Sequence, residues 1–306
     1  MTQKFSLYAV MAALCFTTSI FARQNKQDGK EYIIPFQLTG YNNLSVQAIL
    51  NKQDTVHLMF HTAANALTLT EESIKRLKTV QFDGADTVKS WGGSGNSSRY
   101  SKSNSLQIGP LAWENISIWE NKNSGQHTDG KFGTDLFENK VIEIDFIKNI
   151  ISVSSILPAK AKKYKKHKLR SENGNLFIEA VAVIGQDTFT NSFLIHSGYS
   201  GSILFDDKFT NERALSNKLK IVAEKELKDS YGNVLKTQKA ILPQFHIGSE
   251  KLTNVTVGFF AGAIGRQKMS VIGGDILKRF NIIIDAKREF IYLKPNNLRK
   301  SAYSNF

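Results

Sequence analysis

The chain has 306 residues, of which 41% are hydrophobic and 22% charged, with 21 Gly and 5 Pro. That profile fits a globular protein and excludes collagen-like, mucin-like and disordered classes, and the length suggests about two domains. The formal net charge is +13, yet no nucleic-acid motif or aromatic platform accompanies the basic residues, so nucleic acid is not expected as a partner.

Residues 1–22 stand apart. Lys4 is their only charge, Phe5–Phe16 is apolar, and Ile20-Phe21-Ala22 offers a cleavage site before Arg23. This reads as a secretory signal peptide, implying export to the periplasm or beyond. An uncleaved anchor is the alternative, disfavoured because the apolar stretch is short for a span. Cys15 is the only cysteine, and Leu14 before it argues against a lipoprotein signal. The processed chain would then lack thiols, which removes disulfides, thiol catalysis and cysteine-ligated metals.

From there the elements recur in two passes. Residues 46–70 (VQAILNKQDTVHLMFHTAANALTLT) and 180–205 (AVAVIGQDTFTNSFLIHSGYSGSILF) share one plan. Each has an apolar strand, a polar turn with Gln-Asp-Thr, a second apolar strand, then His, a hydroxyl residue and a small residue. A helix is predicted over Glu71–Val80, with Thr70 as its cap and Glu71 and Glu72 in its first turn. Gly-rich hairpins are expected at Trp91–Ser98 and Asp229–Val234. Segment 106–121 parallels 245–260, each a strand, Ile-Gly, a turn and an alternating strand. Segment 132–153 parallels 272–293, each with Gly-x-Asp, a short amphipathic stretch, a buried strand ending in Asp and a last strand. Further short helices are expected at Asp206–Arg213 and Ile276–Arg279. Three matched blocks in the same order point to a duplication of about 120 residues. The predicted divisions are a first lobe over 31–157, a basic linker over 158–175, a second lobe over 176–295 and a tail over 296–306.

The linker concentrates Lys160, Lys162, Lys163, Lys165, Lys166, Lys168 and Arg170. Such a run is expected to be a solvated connector, with contact to an anionic surface through 160–170 as the alternative.

A duplicated β-rich lobe carrying strand–acid–Thr/Ser–Gly/Ala, a hairpin and a later apolar-Gly-x-Asp block resembles the aspartic protease superfamily. The similarity is to its bacterial two-lobed retropepsin/pepsin-like members and spans nearly all of 31–295. It implies a mostly β, two-lobed, internally duplicated acid-protease fold with one cleft between the lobes. One chain supplies both loops, so a monomer is expected. In that family each lobe contributes one catalytic Asp. Here the loops read His61-Thr62-Ala63 and His196-Ser197-Gly198, so both Asp positions hold His. By the same resemblance Thr62 and Ser197 would brace the pair, while Ala63 and Gly198 allow close backbone approach. Trp91, Gly92 and Gly93 would belong to a flap, and Asn65 and Tyr199 would line the cleft.

Two carboxylates share one proton and so act as base and acid, which two imidazoles cannot reproduce. The leading reading is a catalytically degenerate homologue whose cleft binds an extended peptide or polymer, with no cofactor. A hydrolase, peptidase or esterase, using His61 and His196 as an acid/base pair is the alternative. Metal ligation by the same two residues lacks a third ligand; His57 lies too far along its strand, and Asp135 and Asp275 look structural. An envelope interaction protein using its basic surface is a third class. Asp145 and Asp285 are expected to satisfy turn amides, and His127, His167 and His246 to be surface or strand residues.

Overall fold

In the computed structural model, which describes residues 29–90, 93–260 and 267–304, each half contributes eleven strands among the described residues. The first half holds β1 (Tyr32–Pro35), β2 (Gln37–Leu38), β3 (Leu44–Leu50), β4 (Asp54–Phe60), β5 (Leu67–Thr70) and β6 (Gly84–Ser90). It continues with β7 (Gly93–Ile108), β8 (Leu111–Asn121), β9 (Gly130–Phe132), β10 (Val141–Asp145) and β11 (Ile150–Ser154). The second half holds β12 (Lys165–Lys168), β13 (Arg170–Glu172), β14 (Asn175–Ile184), β15 (Asp187–His196), β16 (Ile203–Leu204) and β17 (Ile221–Lys228). It closes with β18 (Val234–Ile247), β19 (Glu250–Phe260), β20 (Ser270–Gly273), β21 (Phe280–Ile284) and β22 (Phe290–Pro295). The expected signal segment, 1–22, lies outside the described residues.

The duplication is visible in the strand orders. One eight-stranded sheet runs β2-β3-β4-β9-β5-β8-β7-β6 and the other β13-β14-β15-β20-β16-β19-β18-β17. Extra pairings, β3 with β7 and β14 with β18, curl each sheet toward a barrel. A third sheet, β1-β11-β10-β21-β22-β12, takes three strands from each half and joins the lobes. Its central β10 is buried along its whole length, as a strand covered on both faces should be. The mostly β, two-lobed expectation holds. Alternating burial along β3 turns Leu44, Val46, Ala48 and Leu50 into the core, and paired rings such as Phe60–Phe132 and Phe193–Phe245 fill each lobe.

Several local expectations need correction. The helix after Thr70 spans only Glu71–Ile74 (α1), although Thr70 caps it by accepting the Ser73 amide. After the helix has ended, the Asp54 carboxylate holds the departing chain by accepting the Lys78 and Thr79 amides and the Thr79 hydroxyl. In the second half, α2 (Asp207–Glu212) is capped by Asp206, α3 (Leu215–Lys218) follows it, and α4 (Gly274–Leu277) begins two residues before the predicted start.

The basic linker over 158–175 keeps its charged side chains exposed, as expected, but its backbone is not a free connector. Its β12 pairs with β22 and its β13 with β14, while Ala161 and Leu169 are buried. Lys162, Lys163, Lys165, Lys166, Lys168 and Arg170 project outward. Lysines on the outermost strand of a sheet discourage further strand pairing, which accounts for much of the run. The tail beyond 295 is held in turn: Arg279 donates to the carbonyls of Arg299 and Ser301 and stacks against Tyr303. Asp145 and Asp285 accept turn amides from Ile147 and Phe290.

Candidate inter-lobe histidine site

The two His loops leave their sheets at equivalent points. β4 ends at Phe60 beside parallel β9, and the His61 amide donates to the Phe132 carbonyl at 2.9 Å. β15 ends at His196, beside parallel β20 and in register with Gly273. A strand end next to a parallel neighbour aims the following residue out of the sheet, and both loops aim at the boundary between lobes. There the two imidazoles meet, with ring centroids 4.5 Å apart and planes at 59°.

Beneath them Thr62 and Ser197, each 1% exposed, bind across the boundary. The Thr62 amide donates to Ser197 Oγ and the Ser197 amide to Thr62 Oγ1, both at 3.0 Å. Each hydroxyl then donates onward to the opposite lobe, Thr62 to the Ile195 carbonyl at 2.6 Å and Ser197 to the Phe60 carbonyl at 2.8 Å. A hydroxyl can accept and donate at once, so four bonds lock two loops with two side chains. Gly198 packs flat on His61: a Cβ there would lie 2.2 Å from Cδ2 and 2.4 Å from Nε2 of the ring. The Ala63 amide donates to His61 Nδ1 at 3.1 Å, which assigns the proton of the neutral ring to Nε2.

The electrostatics of the pair are set by burial and by one lysine. Burial, then His196, then Lys131 push His61 well below the usual imidazole range. Burial, then Lys131, push His196 down to about 4. Both rings are therefore neutral at pH 7, and His196 Nδ1 is buried without a hydrogen-bond partner. Lys131, on β9, is itself pushed down to about 8 by burial, against an opposing pull from Asp229. Its Nζ reaches across the lobe boundary to Ser230 Oγ at 2.7 Å.

The remaining candidate residues are placed unevenly. Tyr199 packs with Ala63 in a small apolar cluster, and its hydroxyl accepts from the buried Lys239 at 3.2 Å. Asn65 is exposed and lies beside the turn at Gly174. Gly93 pairs with Ser90 at the end of the first hairpin; Trp91 and Gly92 lie outside the described residues. His57 joins His127, Gln37, Thr39, Gly40 and Ser45 around a pocket of ≈ 270 Å³. Among the described residues no three His, Cys, Asp or Glu side chains converge as a metal site. Asp275 is committed to Arg279, Lys278 and the Ser202 hydroxyl.

Sequence reasoning missed three boundary groups. Asn42 and Asn43 donate to the carbonyls of Ser200 and Ser197 at 2.7 and 3.2 Å. The tip of the second hairpin docks on the first lobe, with Ser230 O accepting the Lys122 and Asn123 amides at 2.8 and 3.0 Å. Lys131 is the third. Its position was visible only as the residue before Phe132 in a matched block, with no local signal of its surroundings.

No family model matches the sequence, and no curated protein matches it. Among solved structures the chain is similar to the crystal structure of aspartic proteinase from Irpex lacteus, at 14% sequence identity and a TM-score of 0.59. That match covers 90% of this chain and 100% of that one. Taken with the two barrel-like sheets, it shows the fold of this chain to be that of a pepsin-like aspartic proteinase.

Proposed function

We propose that this chain is an exported, non-proteolytic protein of the aspartic-proteinase-like kind, whose inter-lobe cleft binds an extended peptide or another polymer. In this reading His61 and His196 stand where active members of the fold carry Asp. The observation behind it is the pair itself: two neutral imidazoles with centroids 4.5 Å apart, on loops cross-braced by Thr62 and Ser197. Aspartic proteolysis needs one carboxylate to take a proton from water and the other to give one to the leaving amine. Rings held neutral at pH 7 have no proton to spare beyond a weakly acidic N–H. With its value near 4, His196 is also a weaker base than an ordinary imidazole. The brace keeps the loops in place without that chemistry, and an extended ligand would be held by strand-like backbone hydrogen bonds.

The test is mass-spectrometric profiling of a diverse peptide library with the parent protein and a His61→Ala/His196→Ala variant, from about pH 4 to 8 to bracket imidazole titration. The expected result is saturable retention of library members by the parent and cleavage by neither protein. Cleavage by the parent alone overturns the proposal in favour of a hydrolase built on the histidine pair.

A further inference from the structure

Lys131 is a half-buried cation whose hydrogen-bond partner is a serine hydroxyl rather than a carboxylate. It sits on the strand that carries Phe132, whose carbonyl fixes His61, and its charge is felt by both imidazoles. The titratable groups facing this spot are His61 and His196 from the two loops, Lys131 from β9, and Asp229 from the docked hairpin. Asp229 is engaged in capping its own turn, accepting the Tyr231 and Asn233 amides at 2.9 Å and the Asn233 side chain at 2.8 Å. Within the pair, the buried Nδ1 of His196 has no hydrogen-bond partner. A half-buried ammonium hydrogen-bonded to a hydroxyl, with Asp229 attracting it while committed to its own turn amides, is a place where an incoming carboxylate would offset the cost of burial.

Resting on the reading of the cleft as a binding site, we propose that its ligand is an acidic peptide. One of its carboxylates would accept from Lys131 Nζ, beside or in place of Ser230 Oγ, and lie against the His61–His196 pair. A negative charge arriving there favours protonation of the imidazoles, so binding takes up protons and tightens as pH falls from about 7 to 5. Lys131 stays charged across that window.

The experiment uses the full chain and hexapeptides blocked at both ends, in pairs differing only by Glu or Gln at one position. A third set with Gln and a free C-terminus separates side-chain from terminal carboxylates. Affinity is read by calorimetry, and the His61 and His196 ring protons by NMR. The expected result is a preference of about tenfold or more for the Glu or free-terminus members, the scale of a charge-assisted bond. That preference is lost in Lys131→Met and kept in Lys131→Arg, and only preferred peptides move the ring signals. Equal affinity for Glu and Gln members by the parent overturns the acidic ligand and leaves the cleft reading intact. Binding of no peptide overturns both. A preference that survives in Lys131→Met overturns the assignment of Lys131, and if that variant does not fold, the paired peptides on the parent decide alone.

Discussion

The two lobes share a strand order but place their charges at different points of it. Lys131 and Val271 hold the same strand position, each just before the residue that pairs beside a His loop. Val271 packs into an apolar cluster with Leu194, Leu204 and Phe260, whereas Lys131 holds a charge at the lobe boundary with a hydroxyl for company. The Gly-x-Asp blocks diverge as well. Asp135 is exposed, while Asp275 is fully buried, paired with Lys278 at 2.8 Å and Arg279 at 3.3 Å. In the second lobe the buried Asp275 is neutralised by its neighbours, and the lysine held by a hydroxyl is Lys239 on β18, which donates to Tyr199 at 3.2 Å. The first lobe carries on β9, beside its His loop, the kind of hydroxyl-bound lysine that the second lobe carries on β18, so a duplicated backbone does not imply duplicated roles.

The acidic positions should show the contrast most strongly. Arg279 is 1% exposed and ties Asp275 to the chain terminus. Asp275→Asn removes the carboxylate that Lys278 and the buried Arg279 share and leaves their charges without a counter-charge, so it is expected to cost about 3–5 kcal/mol in guanidinium unfolding. Asp135→Asn, at the matching exposed position, should change stability by less than about 0.5 kcal/mol. Comparable losses at the two positions would erase the distinction between the lobes.

At the histidines the lobes behave alike, and pH should reveal it. Both imidazoles lie below their unfolded value of about 6.5, His196 near 4. Below pH 6.5 the unfolded chain takes up protons that the folded chain refuses. Stability is therefore fully present above pH 6.5 and falls as pH drops toward 4. The loss from His196, which is partly exposed, is on the order of 2 kcal/mol. A His61→Gln/His196→Gln variant should flatten the profile between pH 6.5 and 4.5, measured by denaturant titration at each pH. An unchanged slope would mean the rings are already solvated.

The brace tests whether the lobes depend on one another. Ser197→Ala leaves the buried Thr62 amide without its acceptor and the Phe60 carbonyl without a donor. An expected cost of about 2 kcal/mol follows from two stranded buried groups. Thr62→Ser keeps the hydroxyl and should stay within about 1 kcal/mol of the parent. If Ser197→Ala is silent, water replaces the hydroxyl and the loops are held elsewhere, with Asn43 the first group to examine.

The duplication and the paired loops were legible because local strings carry them: alternating apolar strands, turn residues, and a repeated His–hydroxyl–small triplet. What escaped depends on partners far along the chain. Asp54 holds the segment after α1 through contacts 24 residues away, and Lys131 acquires its meaning from Ser230, 99 residues on. The basic run misled for a related reason. Composition reports charged side chains, but whether the backbone beneath them is solvated or paired depends on β22, which lies more than a hundred residues later. Polar boundary groups such as Asn42 and Asn43 read as an ordinary turn until the opposite lobe supplies the carbonyls they serve.

Replacing Lys131 by the residue its counterpart uses isolates what the first lobe gives up. The ammonium sits at about 8, against an ordinary 10.5, because burial disfavours its charge. A lysine lowered in the fold costs stability wherever the unfolded chain holds the proton more firmly. The penalty is complete below about pH 8 and vanishes as pH rises to about 10.5. Lys131→Val is therefore expected to stabilise the protein at pH 7, by about 1 kcal/mol once partial exposure and the loss of the Ser230 contact are discounted. The gain should fade by about pH 10 in parallel unfolding curves, as the parent lysine loses its charge. A stabilised variant that no longer distinguishes acidic peptides would mark Lys131 as held against stability for binding. A destabilised one would show that the Ser230 contact outweighs the burial of charge, making the lysine a strut between the lobes.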